Sequence, residues 1–204
     1  IKFDNNQQPI WAESFSCSGL GRIIDQHIQN DEYYFSGFYY GNINFPGQSL
    51  NSIDGKSAFF AKLDTSGKFS WATNFTGTDW QAISGITSDI SGNIYLSGFY
   101  EKEIFINGNK NNSKGNRTAF MIKYDQQGKI IYFYPGISPV YANFNEISNI
   151  ENFIFNAGGI TNSIEFNDFK ISKKNFNYSY VGTHDLNGNV LSANTFFGTS
   201  KNIV

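Results

Sequence analysis

Ala58-Phe59-Phe60-Ala61-Lys62-Leu63-Asp64-Thr65-Ser66-Gly67 decides the fold, because the same text returns as Ala119-Phe120-Met121-Ile122-Lys123-Tyr124-Asp125-Gln126-Gln127-Gly128. A third copy reads Ser179-Tyr180-Val181-Gly182-Thr183-His184-Asp185-Leu186-Asn187-Gly188, and the chain opens on a fourth, Ile1-Lys2-Phe3-Asp4. Asp4, Asp64, Asp125 and Asp185 therefore recur at intervals of 60, 61 and 60 residues. A fixed period of this length marks a repeat architecture, in which each unit buries its apolar face only against its neighbours.

Each copy starts with a short run rich in aromatic and β-branched residues and ends in a turn. Asp at the head of the turn accepts hydrogen bonds from the turn backbone, and Gly three positions on reaches positive φ without steric cost. The first copy runs Asn5-Asn6-Gln7-Gln8-Pro9 instead, so its turn is expected to be built differently. Outward from the best-preserved unit, Lys68–Phe75 is the next strand, and a second hairpin follows, Ala82–Thr87 and Asn93–Tyr100 around Asp89-Ile90-Ser91-Gly92. Gly37, Gly98 and Gly158 fall at one strand position in three copies, which predicts a bulge or a close backbone approach there. The stretches 46–57, 107–118 and 167–177 read as long polar loops, with Asn109–Arg117 solvated and mobile.

Two hairpins per unit make four antiparallel strands, and no segment carries helical periodicity. The expected fold is all-β: a β-propeller with four-stranded antiparallel blades of about 60 residues, of which about 3.5 are present, since a sandwich domain needs about 100 residues. The boundaries are a half blade at 1–18 (third and fourth strands), blades at 19–77, 78–138 and 139–198, and the start of a further blade at 199–204, all in one propeller domain. An incomplete ring leaves open edges. The expectation is that they are met by the rest of a longer chain or by a second copy in a half-ring dimer. Ile1 stands where a translation start would carry Met.

The text Trp11-Ala12-Glu13-Ser14-Phe15, Tyr34-Phe35-Ser36-Gly37-Phe38, Ala58–Gly67 and Trp71-Ala72-Thr73-Asn74-Phe75 resembles the bacterial SBBP-type beta-propeller repeat. That family's pattern runs tryptophan-alanine-x-x-phenylalanine, aspartate-x-x-glycine-asparagine, tyrosine-x-x-glycine and phenylalanine-x-x-lysine-x-aspartate. Residues 11–135 follow it, and the last copy departs at Thr183, Ser192 and Glu151-Asn152. The resemblance implies a secreted or cell-surface protein of Bacteroidetes-like bacteria, often exported by a type IX route, with no catalytic motif shared across the family.

Composition narrows function by exclusion. A net charge of −2 supplies no electrostatic footprint for nucleic acid, and no apolar run approaches transmembrane length. Cys17 is the single cysteine, so no intrachain disulfide forms. The two histidines, His27 and His184, sit in different units, and no metal-ligand spacing, nucleophile elbow, phosphate loop or dinucleotide fingerprint occurs. Turn formation accounts for the recurrent Asp residues without calcium, which needs several convergent oxygens. No cofactor, no metal and no catalysis are expected.

Trp11, Trp71 and Tyr132 share one strand position and are expected to pack between neighbouring units. Trp80 differs. It lies in Gly77-Thr78-Asp79-Trp80-Gln81, a connection between units, where it either caps a blade edge or presents an aromatic to a ligand. Asp79, Trp80 and Tyr141 are the candidate binding residues. The expected function is a non-catalytic binding or scaffold module with a protein partner; the alternatives are a glycan-binding lectin and an accessory domain of a larger secreted enzyme.

Overall fold

A computed structural model describes residues 1–166 and 169–196, with the side chains of 173–176 outside the description. The segment 199–204 and positions 167 and 168 of the third long loop therefore lie outside the described residues. The strands are Lys2–Phe3 (β1), Pro9–Trp11 (β2), Ser16–Cys17 (β3), Gly21–Gln29 (β4), Glu32–Tyr39 (β5), Asn42–Phe45 (β6), Gln48–Asn51 (β7), Ser57–Leu63 (β8), Phe69–Phe75 (β9) and Gln81–Ser88 (β10). They continue with Ile94–Tyr100 (β11), Glu103–Ile106 (β12), Asn109–Asn112 (β13), Thr118–Tyr124 (β14), Ile130–Gly136 (β15), Tyr141–Ile150 (β16), Phe153–Phe166 (β17), Phe169–Asp185 (β18) and Val190–Phe196 (β19). The chain is all-β. No helix among the described residues is long and apolar enough to cross a membrane.

Three four-stranded antiparallel sheets follow one another along the chain, in the orders β4-β5-β8-β9, β10-β11-β14-β15 and β16-β17-β18-β19. They are called the first, second and third sheets below. Ahead of them β1 and β2 form a two-stranded sheet. The core is distributed between neighbours. One cluster joins Tyr34, Phe60 and Phe75 of the first sheet to Ile83, Ile86 and Leu96 of the second. Another joins Tyr95 and Met121 of the second to Ile147 and Ile154 of the third. On the other side of the first sheet, Phe35, Phe59 and Leu63 pack with Trp11 and Phe15.

The Asp turns have one geometry throughout. Oδ1 of Asp64 accepts from the backbone of Ser66 (2.9 Å) and Lys68 (3.0 Å), that of Asp125 from Gln127 and Lys129, and that of Asp185 from Asn187 and Asn189. The first copy corrects the sequence reading. Asp4 Oδ1 accepts from Asn6 and Gln8, both at 2.8 Å, so the turn is the same one, with Gln7 at φ 63 where the others place Gly67, Gly128 and Gly188. The glycine expectation holds in detail. Gly37, Gly98 and Gly158 face register shifts between Ile23 and Asp25, Ile83 and Gly85, and Phe144 and Glu146. A Cβ on these glycines would stand 1.9, 2.1 and 1.8 Å from the carbonyl oxygens of Arg22, Ala82 and Asn143.

The long polar loops are corrected as well. Residues 42–51 form the hairpin β6–β7 and residues 103–112 the hairpin β12–β13, while β17 and β18 extend through Ser163–Phe166 and Phe169–Ser172 in the corresponding place. Asn107 (φ 49) and Gly108 (φ 79) make a two-residue turn whose twist matches a hairpin. The Gln48 side chain fastens β7 to β9, donating to Ala72 O (2.7 Å) and accepting from Ala72 N (3.0 Å). The repeated aromatics pack as expected: Trp11 lies against Gly67, Trp71 beside Gly128, and Tyr132 and Tyr134 against Gly188, each ring resting on the Asp turn of the next sheet.

Candidate functional site

The connection carrying Trp80 and the residues just ahead of β8 and β14 meet at one end of the sheets. Ser57 pairs with Tyr39 and Thr118 pairs with Tyr100 in the same register, so Lys56 and Arg117, each one residue earlier, are equivalent positions of consecutive units. Backbone bonds fix the meeting: Gln81 N donates to Lys56 O (2.8 Å), Glu101 N to Trp80 O (2.9 Å), and Ala142 N to Arg117 O (3.0 Å).

The result is a ladder of alternating rings and cations across the two junctions. Lys56 Nζ sits 3.9 Å from the Trp80 ring centroid, 5.2 Å from Phe38 and 5.6 Å from Tyr40. The Arg117 guanidinium lies 4.9 Å from the same Trp80 ring, 3.9 Å from Phe99 and 4.8 Å from Tyr141. Phe99 meets Trp80 edge to face at 5.3 Å and 77°. Arg117 donates from Nε (2.9 Å) and Nη2 to Glu101 Oε1, and from Nη1 to the Tyr141 hydroxyl (2.8 Å). Cations over aromatic faces are held by the ring quadrupole, by about 1–2 kcal/mol where water is partly excluded.

Of the three candidate residues, Trp80 and Tyr141 are therefore brought together, with Arg117 between them. Asp79 is not. Its carboxylate pairs with Lys102 at 3.0 Å on an open surface, where such pairs contribute little. Lys56, Arg117, Glu101, Phe38 and Phe99 were missed in the sequence. Arg117 had been placed in a solvated loop, yet its side chain is 12% exposed and fully engaged. The usable signal was the spacing, since 117 − 56 = 61 is the repeat interval itself. The charges are also unequal. Arg117 is neutralised by Glu101, whereas no carboxylate among the described residues lies within ion-pair distance of Lys56. The Trp80 indole N–H has no acceptor.

A second cluster lies elsewhere, at the junction of the second and third sheets. Asp89 is buried, with Asn93 Nδ2 and the Tyr95 hydroxyl each donating to its Oδ2 at 2.8 Å, and Lys123 Nζ 3.5 Å away. Burial works against this carboxylate, but the bonds from Asn93 and Tyr95, with the Lys123 charge, outweigh it and hold its pKa below the ordinary value. Lys123 also donates to Leu186 O (2.9 Å), tying the second sheet to the turn of the third. Among the described residues, no group of three or more His, Cys, Asp or Glu side chains converges as metal ligands would. The arrangement at Trp80 can stack and form ion pairs. No protein-family model matches the chain, and no curated protein matches it.

Proposed function

We propose that the three sheets are consecutive blades of a β-propeller of the SBBP-repeat kind, spanning 19–77, 78–138 and 139–198, and that the chain is a non-catalytic binding module of a bacterial secreted or cell-surface protein. The relation of the leading strands supports the propeller reading. Asp25 in β4 accepts from Ile86 N in β10 (2.7 Å), and Thr87 in β10 accepts from Asn149 N in β16 (3.1 Å), so successive first strands lie side by side at intervals of 61 and 62 residues. His27 and Gln29 of β4 add contacts to the Ser88 hydroxyl at 2.8 and 2.6 Å.

The ladder Tyr40–Lys56–Trp80–Arg117–Tyr141 carries the functional reading. Trp, Tyr and Arg are the residue types that dominate binding energy in protein interfaces, and here they are held by Glu101 and by backbone bonds before any partner arrives. A lysine with no carboxylate in ion-pair distance at the same place favours a protein partner that offers carboxylate oxygens. The test is affinity capture from the cell-envelope fraction with wild-type, Trp80→Ala and Lys129→Ala baits, Lys129 being exposed beyond the opposite end of β14 from Arg117. A partner retained by wild type and Lys129→Ala but lost with Trp80→Ala supports the reading; equal capture by all three baits overturns it.

A polar cleft favours a second reading, glycan binding. About 740 Å³ in volume, it opens at the turn ends of β4, β10 and β16, where Gln29, Asn30, Asn149 and Asn152 present side-chain amides. A glycan array without a hit at high protein concentration removes it.

A further inference from the structure

The two junctions of the ladder differ at one position. Tyr40 N donates to Leu20 O (2.8 Å) just as Glu101 N donates to Trp80 O (2.9 Å), so Tyr40 and Glu101 are equivalent, at the repeat interval of 101 − 40 = 61. At the second junction this position carries a carboxylate, and Glu101 Oε1 accepts from Nε and Nη2 of Arg117. At the first it carries a phenol, and Lys56, the counterpart of Arg117, has the Tyr40 ring 5.6 Å away instead. We propose that the carboxylate of the first junction arrives in trans: a glutamate side chain on an exposed acidic segment of a separate partner protein docks at Lys56, in the place that Glu101 takes beside Arg117. This rests on the docking role proposed above for the Trp80 end and names the group received there.

The charge around Lys56 complements an acidic occupant. Exposed Arg22 stands directly opposite Phe38 in the β4–β5 register, and Lys56 Nζ lies 5.2 Å from the Phe38 ring. The corresponding position of the second sheet, opposite Phe99, is Ala82. The first junction thus carries two cations and no carboxylate partner, where the second carries one cation and its partner. Among the described residues no carboxylate lies within ion-pair distance of Lys56 or Arg22. Asp54, two residues from Lys56, does not reach it, and Asp79, next to Trp80, is taken by Lys102. All of these residues belong to the meeting of two complete four-stranded sheets.

The surroundings of Lys56 also suit it to pairing. Its stem is half-buried and its ammonium group lies among the rings of Phe38, Tyr40 and Trp80, so less rotamer freedom remains to be lost than for a free surface lysine. Part of the entropy cost that makes exposed ion pairs weak is therefore already met. Tyr40 is 37% exposed, which leaves the place of the carboxylate open to solvent.

The test titrates two synthetic peptides, acetyl-Gly-Glu-Gly-Glu-Gly-amide and its glutamine counterpart, into the isotopically labelled chain at low salt. Nuclear magnetic resonance reads the Tyr40 amide and the Trp80 indole. Saturable shifts are expected with the glutamate peptide alone, weakening as salt is added. Lys56→Met, which keeps an unbranched stem among the rings, should weaken binding by about tenfold or more. Tyr40→Glu should abolish it, because it sets a carboxylate beside Lys56 as Glu101 is set beside Arg117. Tyr40→Gln removes the ring without adding charge and should cost no more than about fivefold. Circular dichroism and melting temperature check that each variant is folded. Absence of saturable shifts with the glutamate peptide, equal shifts from both peptides, or shifts that survive Tyr40→Glu overturn the proposal. Self-association of the chain that Tyr40→Glu abolishes also overturns it, because a second copy then supplies the carboxylate. The two readings fail separately. Trp80-dependent capture that Tyr40→Glu leaves intact overturns the carboxylate assignment and keeps the docking surface, whereas capture indifferent to Trp80→Ala beside glutamate-specific shifts does the reverse.

Discussion

At the residue scale, the repeat is written most plainly in its turns, and one turn breaks the rule. Three Asp turns place glycine at φ 83, 79 and 85, while the first places Gln7 at φ 63. A side chain in the left-handed region costs roughly 1–2 kcal/mol, partly offset by the greater freedom of glycine in the unfolded chain. Gln7→Gly should therefore stabilise the protein by about 0.5–1 kcal/mol, measured by chemical denaturation. The strand glycines act in the opposite direction. A Cβ on Gly98 would stand 2.1 Å from Ala82 O, a backbone atom that yields only if the bulge in β10 is lost. Gly98→Ala should cost ~2–3 kcal/mol on the same denaturation curves. Asp89→Asn strands Lys123, whose side chain is 9% exposed, and a loss of about 3 kcal/mol is expected. The glycines and turn aspartates were legible because each acts within a few residues of itself. Gln7 was not, since its backbone N–H donating to Asp4 O, with Asp4 N donating to Gln8 O, can hold a residue in a conformation that its side chain disfavours.

At the scale of elements, the four long strands of each unit were readable from alternation and turn spacing, but the small hairpins were not. β12 carries buried Ile104 and Ile106, whereas β13 is Asn109-Lys110-Asn111-Asn112, with no apolar residue to mark it as a strand. Its pairing comes from the Asn107-Gly108 turn and from the backbone of β12, so the cue was the turn rather than the strand. Arg117 was lost in the same misreading. A cation at the end of an Asn- and Ser-rich stretch reads as solvated, and only the register of β14 against β11 and β16 brings it beneath Trp80 and Tyr141. Because Arg117 joins Glu101, Tyr141 and two further rings, Arg117→Ala should cost ~2–3 kcal/mol and alter the Trp80 fluorescence. Arg117→Lys keeps the charge but loses the forked donors, so it should recover less than half of that loss. Full recovery by Lys would mean that charge alone, rather than stacking and forked geometry, holds the ladder.

At the scale of the whole molecule, the third sheet carries a substitution that ties global stability to pH. His184 occupies the place of Leu63 and Tyr124, and Asn156 that of Phe35 and Leu96, so a polar pair replaces an apolar one between β17 and β18. Both are buried, with Nε2 3.1 Å from the Asn156 amide oxygen, Nδ1 3.4 Å from Gly188 O, and Asn156 Nδ2 without an acceptor. A neutral imidazole bears one N–H. Turning the Asn156 amide lets Nδ2 donate to Nε2 while Nδ1–H donates to Gly188 O, which gives both ring nitrogens of His184 a partner. Burial lowers the His184 pKa, against smaller opposing effects of Gly188 and Asp185, and burial likewise lowers that of His27 against Asp25. Below pH 6.5 the unfolded chain takes up protons that the folded histidines refuse, so stability falls as pH drops through that value and levels off below the folded pKa values. A separate loss follows in stronger acid. Asp89 and Asp185 have folded pKa values below 3.8, so the stability they contribute is present above that value and disappears as pH falls through the folded ones. Restoring the apolar pair with His184→Leu and Asn156→Leu together should leave stability at pH 8 unchanged within about 1 kcal/mol and remove the His184 share of the near-neutral slope, while sparing the acid limb. Denaturation midpoints from pH 3 to 8 read this directly. A near-neutral slope unchanged in the double variant would assign it to His27, at the contact between β4 and β10.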